Sequence, residues 1–188
     1  MSVPQKLLDK ETDRIVNIAL EETSGFYKHN MLDLDNLCAH LNVKIYEANL
    51  EDENVSGVIS KDGSSWTIIV NELHSSVRKR FTVAHELGHY FAIINNSLPA
   101  VEYLEDNDNM IKDYFILNRE ENVIDDIYQV ERQANMIGAS ILMPEPMVRS
   151  LLEEKNSVID MAQKFGVSEA AMTFRLKSLN LCTTEMLE

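Results

Sequence analysis

The chain has 188 residues, 45% hydrophobic and 26% charged. At roughly 100–200 residues per domain this fits one compact globular domain with a small appendage and excludes a string of large domains. Acidic residues number 31 against 17 basic ones, a formal charge of −14, which repels phosphate backbones and anionic headgroups, so nucleic-acid contact would need a local basic patch.

From Val3 to about Thr23, the residues Leu7, Leu8, Ile15, Ile18 and Ala19 recur at near-helical spacing before Ser24-Gly25 interrupts them, which predicts an amphipathic helix. A shorter helix is expected at Leu34 to Leu41, with Asp33 as N-cap and Leu34, Leu37, Cys38 and Leu41 on its buried side. The period then shortens. Val43-Lys44-Ile45-Tyr46 alternates, Val55 to Ser60 is β-rich, and Trp66 to Val70 is the strongest strand signal, with Asp62-Gly63 suited to a tight turn. These predict a small, mostly antiparallel sheet of about three strands.

Helical periodicity returns after Ser75 and runs to about Asn95, Pro99 being the first residue able to stop it. Pro99 to Asp113 reads as an acidic loop, Asn122 to Met143 as a helix closed by Pro144 and Pro146, and residues 148–188 as two or three short helices. The first ten residues lack a secretory apolar core, and no run approaches the roughly 18 apolar residues of a bilayer span. Cys38 and Cys182 stand alone, without C-x-x-C spacing, and suit packing. A cytoplasmic protein without membrane attachment is the expectation.

Chemistry concentrates in His85-Glu86-Leu87-Gly88-His89, an H-E-x-x-H pattern that places two imidazoles one turn apart on one helix face. Zinc (Zn2+) accepts imidazole nitrogen at about 2.0–2.1 Å, and its catalytic sites keep a position open for a water whose pKa falls towards about 7. Glu86, next to the first ligand, is placed to take the proton from such a water as it attacks a carbonyl. Phe81, Ala84, Leu87, Phe91 and Ile94 can anchor the rest of the helix, and the small residues Ala84, Gly88 and Ala92 leave room for another backbone or a substrate.

A third ligand is needed. The metzincin positions for a third histidine hold Ala92 and Asn95, and Cys38 lacks the glycine-rich surroundings of the deformylase cysteine. That leaves a carboxylate on the second long helix. Glu131 is best placed, because Ala134 and Gly138 share its face and Asn135 lies one turn on, able to orient a ligand; Glu120, Glu121, Asp125 and Asp126 compete with it.

The sequence resembles the ImmA/IrrE metallopeptidase family. The resemblance rests on Ile69-Val70-Asn71, on Arg78 and Arg80 preceding Phe81-Thr82-Val83-Ala84-His85-Glu86-Leu87-Gly88-His89, and on Glu131-Arg132-Gln133-Ala134-Asn135 followed by Leu142-Met143-Pro144. It implies an α+β, zincin-like metallopeptidase domain over residues 1–147. His85, His89 and Glu131 are then the ligands of a zinc ion and Glu86 the catalytic base. It further implies an intracellular endopeptidase acting on a helix-turn-helix repressor encoded nearby. The acidic insertion around Glu102 to Asp113 departs from the family in length. An extended substrate is expected to add to strand Trp66–Val70 if that strand lies at the sheet edge. His74, Tyr90 and Tyr128 are candidates to stabilise the oxyanion.

Residues 148–188 form a C-terminal helical, helix-turn-helix-like segment, with Gly166 in the turn and Ser168 capping the second helix. Lys155, Lys164, Arg175 and Lys177 against Asp160 and Glu169 leave it mildly positive, weak for DNA binding at physiological salt. The rival reading is a non-proteolytic, toxin–antitoxin-type regulatory module in which a structural metal braces two helices and this segment docks a partner or DNA.

Overall fold

The computed structural model describes residues 5–51, 55–97, 110–112 and 121–181, with side chains for 6–51, 55–97 and 128–181. In chain order the elements are α1 (Gln5–Thr23), the short strands β1 (Tyr27–Lys28) and β2 (Met31–Leu32), α2 (Leu34–His40), β3 (Val43–Ala48), β4 (Gly57–Asp62), β5 (Ser65–Asn71) and α3 (Ser76–Ile94). They continue as β6 (Met110–Lys112), α4 (Glu121–Leu142), α5 (Glu145–Glu153), α6 (Val158–Phe165) and α7 (Glu169–Ser178).

Capping explains several of the boundaries. The Asp33 carboxylate accepts the Asn36 N–H at 3.2 Å and opens α2 as expected. Lys28 donates to the same group at 2.6 Å, and these hydrogen bonds, that from Lys28 first, hold the Asp33 carboxyl down at about 2. Gly63, at φ +57°, makes the turn between β4 and β5. Cys38 is buried, and that burial raises its thiol to about 12; Cys182 lies outside the described residues.

The sheet corrects two expectations. It has four strands in the order β3-β5-β4-β6, and β3 joins β5 in parallel while β4 is antiparallel to both of its neighbours. The Trp66–Val70 strand is therefore interior, not an edge able to take a substrate strand. Alternation along a segment identifies a strand and its buried face, but not which strands flank it. The third difference lies in the acidic stretch, where residues 110–112 pair with Ser60, Ile59 and Val58 of β4; residues 98–109 and 113–120 lie outside the described part.

Register puts Val43 and Ile45 of β3, Trp66, Ile68 and Val70 of β5, and Gly57 and Ile59 of β4 on one face, and this face packs on α3. Between sheet and α4, α3 is buried continuously from Thr82 to Ile93, whereas Ile94, expected as an anchor, is exposed. Its contact with α4 is backbone to backbone. A Cβ on Gly88 would overlap the Ala134 carbonyl oxygen and lie 2.8 Å from Ala134 Cα; one on Gly138 would lie 2.8 Å from the Ala84 carbonyl oxygen. Carbon atoms pack at about 3.5–4.0 Å, so neither position has room for a methyl group.

The last two helices carry their own punctuation. Ser157 and Asp160 form a reciprocal capping box on α6, Gly166 at φ +67° closes it, and Ser168 accepts the Ala171 N–H to open α7. Met161, Phe165, Met172 and Leu176 join the same core as the sheet and α3. Two arginines tie the chain together here: Arg80 donates to the carbonyls of Leu32 at 2.6 Å and Phe165 at 3.4 Å, and Arg175 to that of Met143 at 3.0 Å. Arg175, counted above toward the positive charge of this segment, is buried.

Candidate metal centre

The close crossing of α3 and α4 brings together groups 42 positions or more apart in sequence, His85 and His89 on α3 and Glu131 on α4. His85 Nε2 lies 3.1 Å from His89 Nε2. Glu131 offers Oε2 to His85 Nε2 at 3.1 Å and Oε1 to His89 Nε2 at 3.3 Å. Three donors thus face one point, from side chains that are buried in the two histidines and largely buried in the glutamate. Burial alone would raise the Glu131 carboxyl; the charge of His89 and hydrogen bonds from both imidazoles outweigh it and hold the group well below the usual carboxylate range.

Whether a metal fits can be tested on these distances. Four donors arranged tetrahedrally at about 2.0–2.1 Å from an ion stand about 3.3–3.4 Å from one another; the two imidazole nitrogens, and each imidazole with its nearer Glu131 oxygen, come within a few tenths of an ångström of that, the two oxygens being different atoms of one carboxylate. Two imidazole nitrogens and a carboxylate suit zinc, and manganese and iron as well. Support lies behind the donors: His85 Nδ1 is 3.0 Å from Asn135 Oδ1. An amide oxygen only accepts, so Nδ1 carries a proton, and an ion at the centre would take the place of the proton on Nε2 and meet its lone pair. This is the role expected of Asn135.

Glu86, on the helix turn between the two histidines, is fully buried. Of the other carboxylates weighed for third ligand, Glu120 lies outside the described residues, as do the side chains of Glu121, Asp125 and Asp126. Among the oxyanion candidates, Tyr90 is turned into the core, edge-on to Trp66 with ring centroids 5.2 Å apart. Tyr128 is exposed on α4, and His74 lies in the loop between β5 and α3 with its N–H on the Asn71 carbonyl at 3.2 Å.

Sequence reading passed over one residue at this site. Gly57, at the start of β4, lies against Glu86: a Cβ there would be 3.2 Å from Glu86 Oε1. Its only signal was a lone glycine inside a strand pattern, the mark of a close approach by other atoms.

The pattern of the IrrE N-terminal-like domain, a peptidase family, matches residues 38–177, about three quarters of the chain. The chain belongs to this family. The match agrees with the ImmA/IrrE resemblance. It covers the H-E-x-x-H helix, Glu131 and both C-terminal helices, so the three converging donors of the IrrE-like domain sit inside the part that defines a metallopeptidase family. A search among curated proteins returned no match. Among the described residues, no helix of this IrrE-like chain is long and apolar enough to cross a membrane.

Proposed function

We propose that this IrrE-like protein is a zinc-dependent endopeptidase that hydrolyses a peptide bond in a helix-turn-helix repressor encoded nearby, within the cytoplasm. The observation that carries the reading is the convergence of His85, His89 and Glu131 beside a buried Glu86. Zinc held there would supply Lewis acidity for a scissile carbonyl and a water of lowered pKa, towards about 7. The remaining work belongs to the chain. His85 Nε2, His89 Nε2 and the Glu131 carboxylate would hold the ion, and Asn135 fixes the His85 ring and its tautomer. Glu86 takes the proton of the attacking water and delivers it to the departing amine, so that the base of the first step is the acid of the second.

Nucleic acid has little part in this reading. Of the four cations counted in the C-terminal segment, Arg175 is spent on the Met143 carbonyl, and Lys164 faces Glu154 at 4.0 Å. A packing or partner-docking role for α6 and α7 fits their burial better.

The test is purified protein with stoichiometric zinc mixed with the regulator encoded beside it. Glu86→Gln should keep zinc and lose cleavage by about 10²–10⁴-fold, the usual contribution of a positioned acid–base group. A variant that still cuts at the wild-type rate would reject the mechanism, and a stable complex without fragments would favour the non-proteolytic module.

A further inference from the structure

We infer that residues 110–112 are an internal competitor of the protein substrate: as β6 they occupy the strand edge nearest Glu86, and they have to leave it before an extended stretch of substrate can pair there. This deepens the peptidase reading and rests on it.

The strand that borders Glu86 is β4, since a Cβ on its first residue, Gly57, would stand 3.2 Å from Glu86 Oε1. Its inner edge belongs to β5: the Asn71 N–H donates to the Ser56 carbonyl at 2.9 Å, and Gly57 stands opposite Val70. Antiparallel pairs alternate between bonded and non-bonded, so Ser56, Val58 and Ser60 give their main-chain groups to β5, while Gly57 and Ile59 turn theirs to the outer edge. On that edge lies β6, with Ile111 opposite Ile59 as the bonded pair. It begins opposite Ser60 and ends opposite Val58, so it runs towards Gly57, and among the described residues its pairing stops one position short of that glycine.

A strand edge takes up an extended peptide through main-chain hydrogen bonds. A substrate segment entering beside Glu86 therefore needs the same Ile59 N–H and carbonyl that face Ile111, and only one of the two can have them. The opposite edge of the sheet, on β3, is separated from β4 by β5. The resident strand is built to be displaced. It has three residues against a usual length of roughly 5–6, and its sequence neighbours Asp106-Asn107-Asp108-Asn109 and Asp113 are types that strands avoid. Where the binding-competent state is a minor one, populated at roughly 0.1–10%, the apparent affinity for substrate falls by that fraction.

Ile111→Pro takes the N–H out of the bonded pair, and proline is not tolerated in the middle of a paired strand. With zinc, and the regulator encoded beside the protein as substrate, KM should fall about tenfold or more while kcat stays within about twofold and zinc remains stoichiometric by titration. A KM that is unchanged or raised would show that β6 only closes the sheet, and would overturn the inference.

The converse experiment locks the strand in place and does not depend on how Ile111→Pro folds. Ser60 and Met110 face each other as a non-bonded pair, for which Cα atoms stand about 4.5 Å apart, within the disulfide range of about 4.4–6.8 Å. In a Cys182→Ser background, oxidised Ser60→Cys/Met110→Cys should cut about tenfold or more slowly, and a phosphine reductant should restore the rate. A locked protein as fast as the reduced one overturns the inference.

Amide hydrogen exchange gives a reading without turnover. When the Glu86→Gln variant is mixed with the same regulator, the Ile111 N–H should lose protection while the Ile59 N–H keeps its own, having changed partners. Protection unaltered at Ile111 overturns the inference. Loss of it in a protein whose wild type cuts nothing overturns the peptidase reading and leaves the competition standing.

Discussion

Two helix pairs in this chain are held by opposite means. The α3–α4 pair meets backbone to backbone at Gly88 and Gly138, with a cluster of imidazoles and carboxylates in the seam. The α6–α7 pair is joined by a glycine turn, capped by serines at both starts, and plugged into the core by Met161, Phe165, Met172 and Leu176. In the first, the fit of atoms distant in sequence decides everything, and one added methyl group breaks it. In the second, stability is spread over many small local terms, and each can be removed without losing the rest.

The largest effect should come from taking a donor out of the seam. Zinc at a hundred times its dissociation constant should stabilise the wild type by about 2.7 kcal/mol. Glu131→Ala should lose that gain and weaken zinc more than a hundredfold, beyond the usual outer-shell penalty; titration calorimetry and thermal melts with and without zinc read both. A thermal shift that survives in Glu131→Ala would place the ion elsewhere.

Next comes the crossing itself. Gly88→Ala should destabilise the fold by about 1–3 kcal/mol through overpacking and should also weaken zinc, because the two helices must part. Denaturant melts and zinc titration together test this, and zinc binding that is untouched would deny that the crossing sets the site. In the C-terminal pair, by contrast, Ser157→Ala should cost about 1 kcal/mol of stability with zinc affinity unchanged.

The smallest effect lies at Asp33, outside both pairs. Its folded pKa, about 2, is below its unfolded value, so its contribution is complete above about pH 4 and drains away as the pH falls towards 2. The melting-temperature gap between wild type and Asp33→Asn should therefore be open at pH 5 and close on acidification. A gap that does not change would remove Asp33 from the acid response.

Legibility in the sequence follows the same divide. The α6–α7 pair was readable because its signals, Gly166 and Ser168, act within a few residues of where they stand; only Arg175 misled, since charge alone does not tell which way a guanidinium points. On α3 the H-E-x-x-H spacing fixed which residues share a face, because helix geometry is local. Glu131 needed the family resemblance to stand out from four other carboxylates, as it lies more than forty residues downstream of the histidines it meets. Strand order was not readable: β3 and β5 are parallel neighbours with β4 between them in sequence, and nothing in their alternation says so. Gly57 was missed for the same reason, its neighbours Thr82 and Glu86 being brought to it only by the packing of strand on helix.

The glycine seam also limits how the molecule can breathe. Where two helices touch through their main chains there is no layer of rotamers between them to act as a bearing, so neither can roll on the other by swapping side-chain conformations. Their donors inherit the stiffness of the helices. On the proposed peptidase reading, any loosening that admits a substrate has to come from the strand side of α3, while the three donors on the helix pair stay where they are.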